Sequence, residues 1–286
     1  AHPRPDPKPS SERRPRQISV TALDRLRSDP YQFYAEKILR LSELDPLDAD
    51  SSAQWRGEIA HQILEDWHKQ GGDLFAHAER HLQQMHAHPL MRALWRPRLL
   101  KALEWIKAEI ESQPDRQPIL FEEAGTLDVK GITLKGKADR IDRLPDGSLA
   151  VVDYKTGTPP SGAEVEAGFA LQLGTLGLMV QAGAFRGVKA GPVKFEYWSF
   201  GKSRKSETGF GYVVTPLLEG NKRTGIPPED FLPEARRYLH DALDRWILGD
   251  EGFTARLNPD AKVYATYDQL MRLDEWITDP DGERTA

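Results

Sequence analysis

The sequence contains no cysteine among its 286 residues. This absence excludes disulfides, thiolate zinc sites and cysteine-held iron–sulfur clusters, and it fits a cytoplasmic protein. No run of about 18 apolar residues is present, so neither a transmembrane helix nor a membrane partner is expected. The N-terminus shows no secretory signal pattern. A glycine-rich loop that could cradle phosphates is also missing, so no ATPase motor is expected in this chain.

An excess of positive charge is missing too, because the formal net charge is −5. This balance argues against a generally basic nucleic-acid coat, but it leaves room for a local basic groove. With 39% hydrophobic and 29% charged residues, the composition is typical of a globular chain of one or two domains with a sizeable core. The sequence starts with Ala1 rather than methionine, and we therefore expect a piece of a longer protein.

The N-terminal residues 1–17 are polar and rich in proline, without apolar periodicity. They are predicted to be a disordered or extended linker. Ordered structure is expected from residue 18 to residue 286. Ser19 or Thr21 can cap a first short helix, and Asp29 followed by Pro30 is a second helix-start signal.

A helical part is predicted over about 18–113. Within it, Ile59, Ile63 and Trp67 recur at four-residue spacing and form a core stripe on one helix. His61 lies on the flank of that stripe, where a histidine is more often packed or exposed than a ligand. The predicted elements are a loop at 43–53 and helices at 54–70, 74–87 and 90–112.

The pattern changes at Pro118, where strand-like runs with short turns begin. A core of strands and helices is predicted over about 118–216, followed by C-terminal helices over about 229–286. Helices therefore come first and a hairpin-rich sheet follows, which indicates an α/β or α+β core with an N-terminal helical annex. The predicted elements are strands at 119–129, 132–144, 148–155, 192–200 and 210–216, and helices at 163–184, 229–248 and 266–277.

Two tight turns set the expected pairing of the first three strands. The turn at 145–147, Pro-Asp-Gly, is a strong hairpin connection. If the residues that flank it pair with each other, Asp139 lies directly opposite Asp153 on one face of the sheet. Lys155 is two residues beyond Asp153 and points to the same face.

The turn at 130–131, Lys-Gly, adds a second constraint. If its flanking residues pair, Glu122, and not Glu123, lies opposite Asp139. A bulge in either hairpin would shift this pairing by one residue. The sequence thus predicts three carboxylates in line across three neighbouring strands, beside a lysine.

Such a row of acids is costly, because adjacent carboxylates repel one another and burial increases the repulsion. A divalent cation removes the repulsion, and hard carboxylate oxygens suit Mg²⁺ or Mn²⁺. We interpret the aligned acids as metal ligands at the end of a sheet. The alternative is that these acids cap strand ends or pair with Arg140, Arg143 and Lys155.

Two further patterns allow more than one interpretation. His61, Glu65 and His68 share a helical face and could bind zinc by themselves, although the set lacks a distant fourth ligand. The segment 200–212 mixes basic and aromatic residues. It is either a phosphate-contacting hairpin or an exposed charged turn.

Four segments resemble the PD-(D/E)XK nuclease superfamily, in its RecB-like branch. GKADRID (136–142) and AVVDYKTG (150–157) resemble its motifs II and III, with Asp153 as the variable acid before the lysine. RGEIAHQILEDW resembles the helix that brings a histidine to the metal, and His61 takes that place. LQLGTLGL resembles the next motif, with Gln172 at the glutamine and Leu176 where a tyrosine is usual.

The resemblance extends to a particular group within that branch. The segments RPRQISVTALDRLRSDPYQFYAEKILRLSELDPLD and FTARLNPDAKVYATYDQLMRLDEW look like the C-terminal nuclease domain of the AddB subunit of alphaproteobacterial AddAB helicase–nucleases. Many relatives of this kind hold an iron–sulfur cluster on four cysteines. Because this chain has none, packing must hold its N- and C-terminal parts together.

The resemblance implies a restriction-endonuclease-like fold, with a central mixed sheet flanked by helices, over 18–286. It implies hydrolysis of DNA phosphodiester bonds by an exonuclease, on single-stranded DNA fed by an AddA-type helicase–nuclease partner in double-strand-break repair. Despite the acidic total, the cleft walls should carry lysine or arginine, because a phosphate backbone must approach the acids. The implied ligands of Mg²⁺ or Mn²⁺ are His61, Glu122, Asp139 and Asp153, and Asp139, Asp153, Lys155 and Gln172 form the implied catalytic set.

Two other function classes stay open. The first is a DNA-binding or docking module that has lost catalysis, a reading favoured by Leu176 and by the missing cysteines. The second is a free-standing RecB-like nuclease that needs no partner. The intact Asp139, Asp153 and Lys155 argue against the first class, and the proline-rich N-terminus argues against the second.

Overall fold

The computed structural model describes residues 4–42, 53–84, 89–255 and 265–273. Within these ranges, six strands form one mixed sheet that helices flank. The strands are β1 (Gln17–Ser19), β2 (Gln117–Val129), β3 (Ile132–Arg143), β4 (Leu149–Lys155), β5 (Val193–Lys202) and β6 (Phe210–Val214). The α-helices are α1 (Val20–Ser28), α2 (Pro30–Phe33), α3 (Ala53–Gln70), α4 (Leu74–Gln84), α5 (Pro89–Glu111), α6 (Gly162–Glu166), α7 (Gln172–Gln181) and α8 (Pro228–Ala242). Short π-helical turns follow α2 at Tyr34–Ile38 and α8 at Leu243–Ile247.

The sheet is built around β3. Strand β2 pairs antiparallel along one edge of β3, and the other edge is shared by β1, which is parallel, and β4, which is antiparallel. Strand β5 adds parallel to β4, and β6 adds antiparallel to β5. This is the mixed α/β architecture that the sequence predicted, with α3, α4 and α5 as the helical annex.

Neighbouring residues of β4 face two different cores. Val151 packs with α7, which carries the buried Leu173, Leu176 and Met179. Val152 faces the opposite side and packs against residues of α3, α4 and α5. Strand β4 is therefore buried on both faces, which explains why its sequence is a continuous apolar run rather than an alternating one.

The predicted strand register is confirmed. Strands β3 and β4 pair from Arg140↔Val152 to Arg143↔Leu149, the frame that places Asp139 opposite Asp153. Strands β2 and β3 pair in a single frame from Leu120↔Ile141 to Val129↔Ile132. Both residues of the connecting 130–131 turn have positive φ angles, of 56° and 77°, as a two-residue hairpin turn of this type requires.

The first two helix starts are also as predicted. The Ser19 side chain accepts a hydrogen bond from the backbone of Ala22 and caps α1, and the Asp29 side chain caps α2 ahead of Pro30. A side-chain oxygen at this position satisfies a backbone N–H group that has no partner within the helix. Residues 43–52, most of the predicted loop, lie outside the described residues.

Two predicted helices differ in the structure. The helix expected over 163–184 is broken into α6 and α7, because Gly168 has a φ angle of +77° and contacts the ring of Tyr238, where a Cβ would come within 2.8 Å. The tail expected to form a helix over 266–277 begins instead with a 3₁₀ turn and continues as turns to residue 272, and Leu273 is helical. Its remaining residues lie outside the described ranges.

The proline-rich N-terminal segment, predicted to be a disordered or extended linker, packs against the rest of the chain and contains a short 3₁₀ turn at Ser11–Arg13. The Arg14 side chain is only 6% exposed and donates a 2.7 Å hydrogen bond to the carbonyl of Trp246. The backbone N–H of Phe253 donates to the carbonyl of Pro7. We call residues 4–16 the N-terminal arm, and it crosses the C-terminal end of α8 before it enters β1.

Apolar packing joins the two ends of the described chain. Tyr31 and Ala35, near the N-terminus, share a buried cluster with Ala255, Tyr267, Met271 and Leu273. This packing is the connection that the sequence required in the absence of cysteine. Within the described residues, we find no helix with the length and apolar character needed to cross a membrane.

Candidate active site and metal centre

An open cleft of about 620 Å³ lies between α3, the β2–β3 hairpin and the first turns of α1 and α7. His61 enters it from α3, while Glu122 and Asp139 enter from β2 and β3. Among the described residues, these three form the group in which carboxylate and imidazole atoms all lie within 4.8 Å of one another. The structure thus brings together three of the four predicted metal ligands.

The His61 ring is held by two different kinds of partner. Its Nδ1 lies 2.8 Å from Glu122 Oε1 and 3.6 Å from Asp139 Oδ1. Its Nε2 donates to the carbonyl oxygen of Tyr154 across 3.1 Å. Because the carbonyl requires a proton on Nε2, Nδ1 is the nitrogen that a metal could use, and a backbone carbonyl behind a ligand histidine is a common arrangement in metal sites.

The backbone of Tyr154 orients two of these groups at once. Its N–H donates to Asp139 Oδ2 at 2.8 Å, while its carbonyl accepts from His61. Tyr154 lies between Asp153 and Lys155 at the end of β4, and its own side chain is buried. The sequence analysis missed this residue, since its contribution comes from peptide groups that no side-chain motif reveals.

Glu122 faces the cleft, as predicted, although not through regular strand geometry. Its side chain is buried, whereas Glu123 is exposed. Glu122 has a positive φ of 46°, which is rare for a residue with a side chain. On the opposing strand, Ala138 and Ile141 both join the core under α7 although they are three positions apart, an odd number. The alternation of side chains between the two faces of β3 therefore shifts by one residue near Asp139, while the pairing of β2 with β3 keeps its register.

The acids and the histidine perturb one another strongly. Burial and the repulsion of Asp153 raise the pKa of Asp139 to about 7. Burial opposes the charge on His61, but Asp139 and Glu122 outweigh it and raise its pKa to about 9. Burial likewise opposes the charge on Glu122, but hydrogen bonds from His61 and Lys137 hold its pKa below the usual range. Without a metal, the site is thus an imidazolium held between carboxylates.

Asp153 has a different environment from the other three predicted ligands. It is 2% exposed, and its Oδ2 lies 2.7 Å from Lys155 Nζ, in an ion pair without hydrogen-bond alignment. Lys155 Nζ also donates to Gln172 Oε1 at 3.1 Å. The 4.8 Å group does not include Asp153. Burial opposes the charge on Lys155, but Asp153 and Asp139 raise its pKa above the ordinary value.

The structure contains only some of the ion pairs that the alternative interpretation of these acids predicted. Arg140 pairs with Asp142 rather than with Asp139, on the opposite face of β3. Lys155 does pair with Asp153, as the alternative required. The alternative zinc set is not assembled, because Glu65 pairs with Lys69 and the His68 ring stacks on Phe121 with centroids 4.0 Å apart.

The cleft walls carry the basic and apolar groups that complete the site. Lys135 and Lys137 line the cleft from β3, and Lys137 pairs with Glu122 at 2.7 Å. Lysine in the walls was expected from the need to admit a phosphate backbone. Leu176 is buried and contributes an apolar surface where the motif usually has a tyrosine. Gly136 lets α7 approach β3, since a Cβ there would lie 2.9 Å from Leu176.

The donor set predicts an unusual dependence of stability on pH in metal-free protein. The raised pKa of His61 stabilises the fold fully below its ordinary 6.5, and this stabilisation is lost as the pH rises through 9. Because the pKa of Asp139 is raised, its ionisation lowers the stability of the fold as the pH rises from 3.8, the ordinary pKa of this carboxyl group, to about 7. Both groups bind protons more tightly in the folded state, so the free energy of unfolding should fall by about 2 kcal/mol between pH 6 and 9.

Thermal unfolding in EDTA at these pH values measures the slope directly. His61→Gln should flatten it, whereas His81→Gln, which removes a histidine paired with Asp66 outside the cleft, should leave it unchanged. Since a metal must displace the His61 Nδ1 proton, stabilisation by Mg²⁺ or Mn²⁺ should increase with pH. A flat profile for the metal-free wild-type chain would contradict this description of the site.

The family model of the PD-(D/E)XK nuclease superfamily matches residues 17–261. The chain therefore belongs to the PD-(D/E)XK nuclease superfamily, whose members use divalent metals.

Several individual proteins are also similar to the chain, at sequence identities of 30% or less. An uncharacterised protein of Rickettsia bellii is 30% identical over 185 residues, which is 60% of this chain and 22% of the relative. An uncharacterised protein of Rickettsia conorii is 29% identical over 189 residues, which is 60% of this chain and 23% of that protein. The chain thus spans less than a quarter of the length of these curated relatives. The solved structure of a candidate exonuclease from Eubacterium rectale aligns with 91% of this chain and across 95% of its own length, with a TM-score of 0.49 at 11% sequence identity.

Proposed function

We propose that residues 18–286 form a RecB-like, metal-dependent DNA exonuclease domain, against which the proline-rich N-terminal arm packs. The observation that carries this proposal is the group formed by His61, Glu122 and Asp139 in an open cleft, beside Asp153 and Lys155 on the next strand. A carboxylate-rich site with an adjacent lysine suits the hydrolysis of phosphodiester bonds.

The donor set fits a divalent cation. His61, Glu122, Asp139 and Asp153 would hold Mg²⁺ or Mn²⁺, since one imidazole and several carboxylates match the ligand preferences of these ions. The buried Asp153 Oδ2, which has an ion-pair contact but no aligned hydrogen bond, retains capacity for a further partner. When bound, such an ion lowers the pKa of a coordinated water and offsets charge on the scissile phosphate.

The remaining residues orient the reaction. Lys155, held between Asp153 and Gln172, would orient the attacking water and stabilise the negative charge that develops on the phosphate. Gln172 would keep the lysine directed at the cleft. Tyr154 would align His61 and Asp139 through its backbone groups, which costs no reorganisation during the reaction.

The physiological setting is also part of the proposal. The segments at the two ends of the chain resemble the AddB nuclease domain, which favours single-stranded DNA as substrate and an AddA-type helicase–nuclease as partner in cytoplasmic double-strand-break repair. The curated relatives are more than four times as long as the stretch they share with this chain, so further domains have room beside the nuclease.

Cleavage assays test the proposal. Labelled single- and double-stranded DNA is incubated with the chain in Mg²⁺, Mn²⁺ or EDTA, with end-labelled and circular substrates to separate exonuclease from endonuclease action. We expect metal-dependent shortening from an end, with single-stranded DNA preferred. Lys155→Met should lower the rate about 10²- to 10³-fold, whereas Lys194→Met, which removes a lysine paired with Asp146 on the surface, should not. Cleavage that persists in EDTA would refute the proposed site.

A DNA-binding module without catalysis is the second candidate, and the buried Leu176 in place of the usual tyrosine favours it. Metal-dependent binding without cleavage, for every substrate and metal tested, would support this reading. Binding measured by fluorescence anisotropy in the same samples separates the two candidates.

A further inference from the structure

The helix that carries Gln172 is capped from a distant part of the chain. Helix α7 begins at Gln172, and the side chain of the preceding Leu171 provides no cap. Instead, the backbone N–H groups of Leu171 and Gln172 donate to the two carboxylate oxygens of Asp24, at 2.8 and 3.1 Å. Asp24 belongs to α1, so the cap joins residues 147 positions apart.

The choice of a carboxylate here is energetically costly. Burial raises the pKa of Asp24 to about 7, although the two backbone hydrogen bonds and Lys155 act in the opposite direction. A serine or threonine at the helix start would satisfy one backbone N–H group without this cost. The placement of a half-buried acid on another helix, with both carboxylate oxygens on backbone N–H groups, therefore indicates a requirement beyond capping.

The further requirement is the position of Lys155, which the side chain of Gln172 contacts. The Gln172 side chain accepts from Lys155 Nζ at 3.1 Å, so the position of the first turn of α7 sets the position of the lysine. Asp24 is in turn positioned by β3, the strand that carries Asp139. Helix α1 follows β1 directly, and β1 pairs with β3 at Ile18↔Leu134. One continuous set of contacts thus connects the strand of Asp139 to the ammonium of Lys155.

We propose that Asp24 is a positioning residue of the nuclease site, which fixes Gln172 through its backbone and thereby directs Lys155 at the cleft. This inference rests on the proposed function for its meaning in the reaction. The contact itself can be tested without catalysis.

The first test uses NMR spectra of the folded, metal-free protein. Asp24→Asn keeps the shape of the side chain but replaces one acceptor oxygen by a donor, so one backbone hydrogen bond must be lost. We expect faster amide hydrogen exchange at Leu171 and Gln172 and a shifted side-chain amide signal of Gln172. Asp29→Asn is the matched control, since Asp29 is a buried aspartate that caps α2 through the backbone of Gln32, and it should leave these signals unchanged.

The second test is kinetic and separates positioning from general stability. At saturating metal, Asp24→Asn should lower kcat about tenfold and change KM for DNA less than twofold, because misplacement of a catalytic group affects the reaction step. The double variant Asp24→Asn/Gln172→Ala should be no slower than Gln172→Ala alone, since both act through one contact.

Each outcome has a defined meaning. Additive losses in the double variant, or an unchanged kcat for Asp24→Asn, would overturn the proposal. So would an unshifted Gln172 signal in the NMR comparison. If the wild-type chain cleaves no DNA, the proposed function fails, while the NMR comparison still decides whether Asp24 holds Gln172 against Lys155.

Discussion

Replacement of Asp139 by asparagine is expected to lower the rate of metal-dependent cleavage by about 10³-fold or more. Asp139 belongs to the group formed with His61 and Glu122, so its loss removes one of the proposed metal ligands. A bound metal ion contributes several kcal/mol to phosphoryl chemistry, and each 1.4 kcal/mol is a factor of ten in rate. The rates of wild-type and variant protein at equal Mn²⁺ concentration give the effect.

The same variant should not damage the fold. Asparagine keeps the shape of the side chain and an oxygen that can accept from the Tyr154 backbone. It also removes a buried charge that Asp153 and Glu122 repel. The melting temperature in EDTA should therefore stay the same or rise, while the stabilisation by Mg²⁺ or Mn²⁺ is lost.

Asp146→Asn provides the control, since it changes an exposed aspartate in the turn of the same hairpin. It should retain both cleavage and stabilisation by metal. A large loss of melting temperature for Asp139→Asn in metal-free buffer would instead mean that this acid is structural.

Replacement of Arg140 by methionine is expected to lower the free energy of unfolding by about 3–5 kcal/mol. Arg140 and Asp142 are both fully buried behind the site, and the guanidinium donates to Asp142 at 2.7 and 2.9 Å. It also donates to the Tyr154 hydroxyl at 3.0 Å and lies 4.2 Å above the ring of Trp198. Removing the arginine leaves the buried Asp142 carboxylate with Arg116 as its remaining charged partner, and this incompletely compensated charge causes most of the loss.

The double variant Arg140→Met/Asp142→Leu tests that explanation. Because it removes both charges, it should recover half or more of the lost stability, while Arg116 keeps its ion pair with Glu196. Arg143→Met is the single-site control, since Arg143 is exposed on the same strand. Urea unfolding of the four proteins decides the question, and a double variant less stable than Arg140→Met alone would contradict it.

Much of the site could be predicted because its placement depends on local rules. The turns at 130–131 and 145–147 set the register of three strands, and register then placed Glu122 and Asp139 side by side. His61 followed from the helical motif around it. The resemblance to known nucleases supplied the role of each residue, which turn chemistry alone could not.

Other features of the site depended on contacts that no local pattern contains. The positive φ of Glu122 and the shift of faces at Asp139 arise where the twisted hairpin meets α3 and α7. The contact of Asp153 with Lys155 is another such feature. Side-chain contacts of this kind are decided by packing from several elements at once.

The amino-acid sequence was sufficient to infer the strands, their register, the capped helix starts and the residues that carry the nuclease motifs. These features depend on residues close in the chain, where turn geometry, capping and alternation act directly. Tertiary contacts were needed to show that Asp24 caps a helix 147 positions away, that the N-terminal arm packs on the π-helical turn after α8, and that Gly168 separates α6 from α7. Each of these three features depends on which distant surfaces of the chain meet, and this is decided by the packing of the whole chain rather than by local sequence.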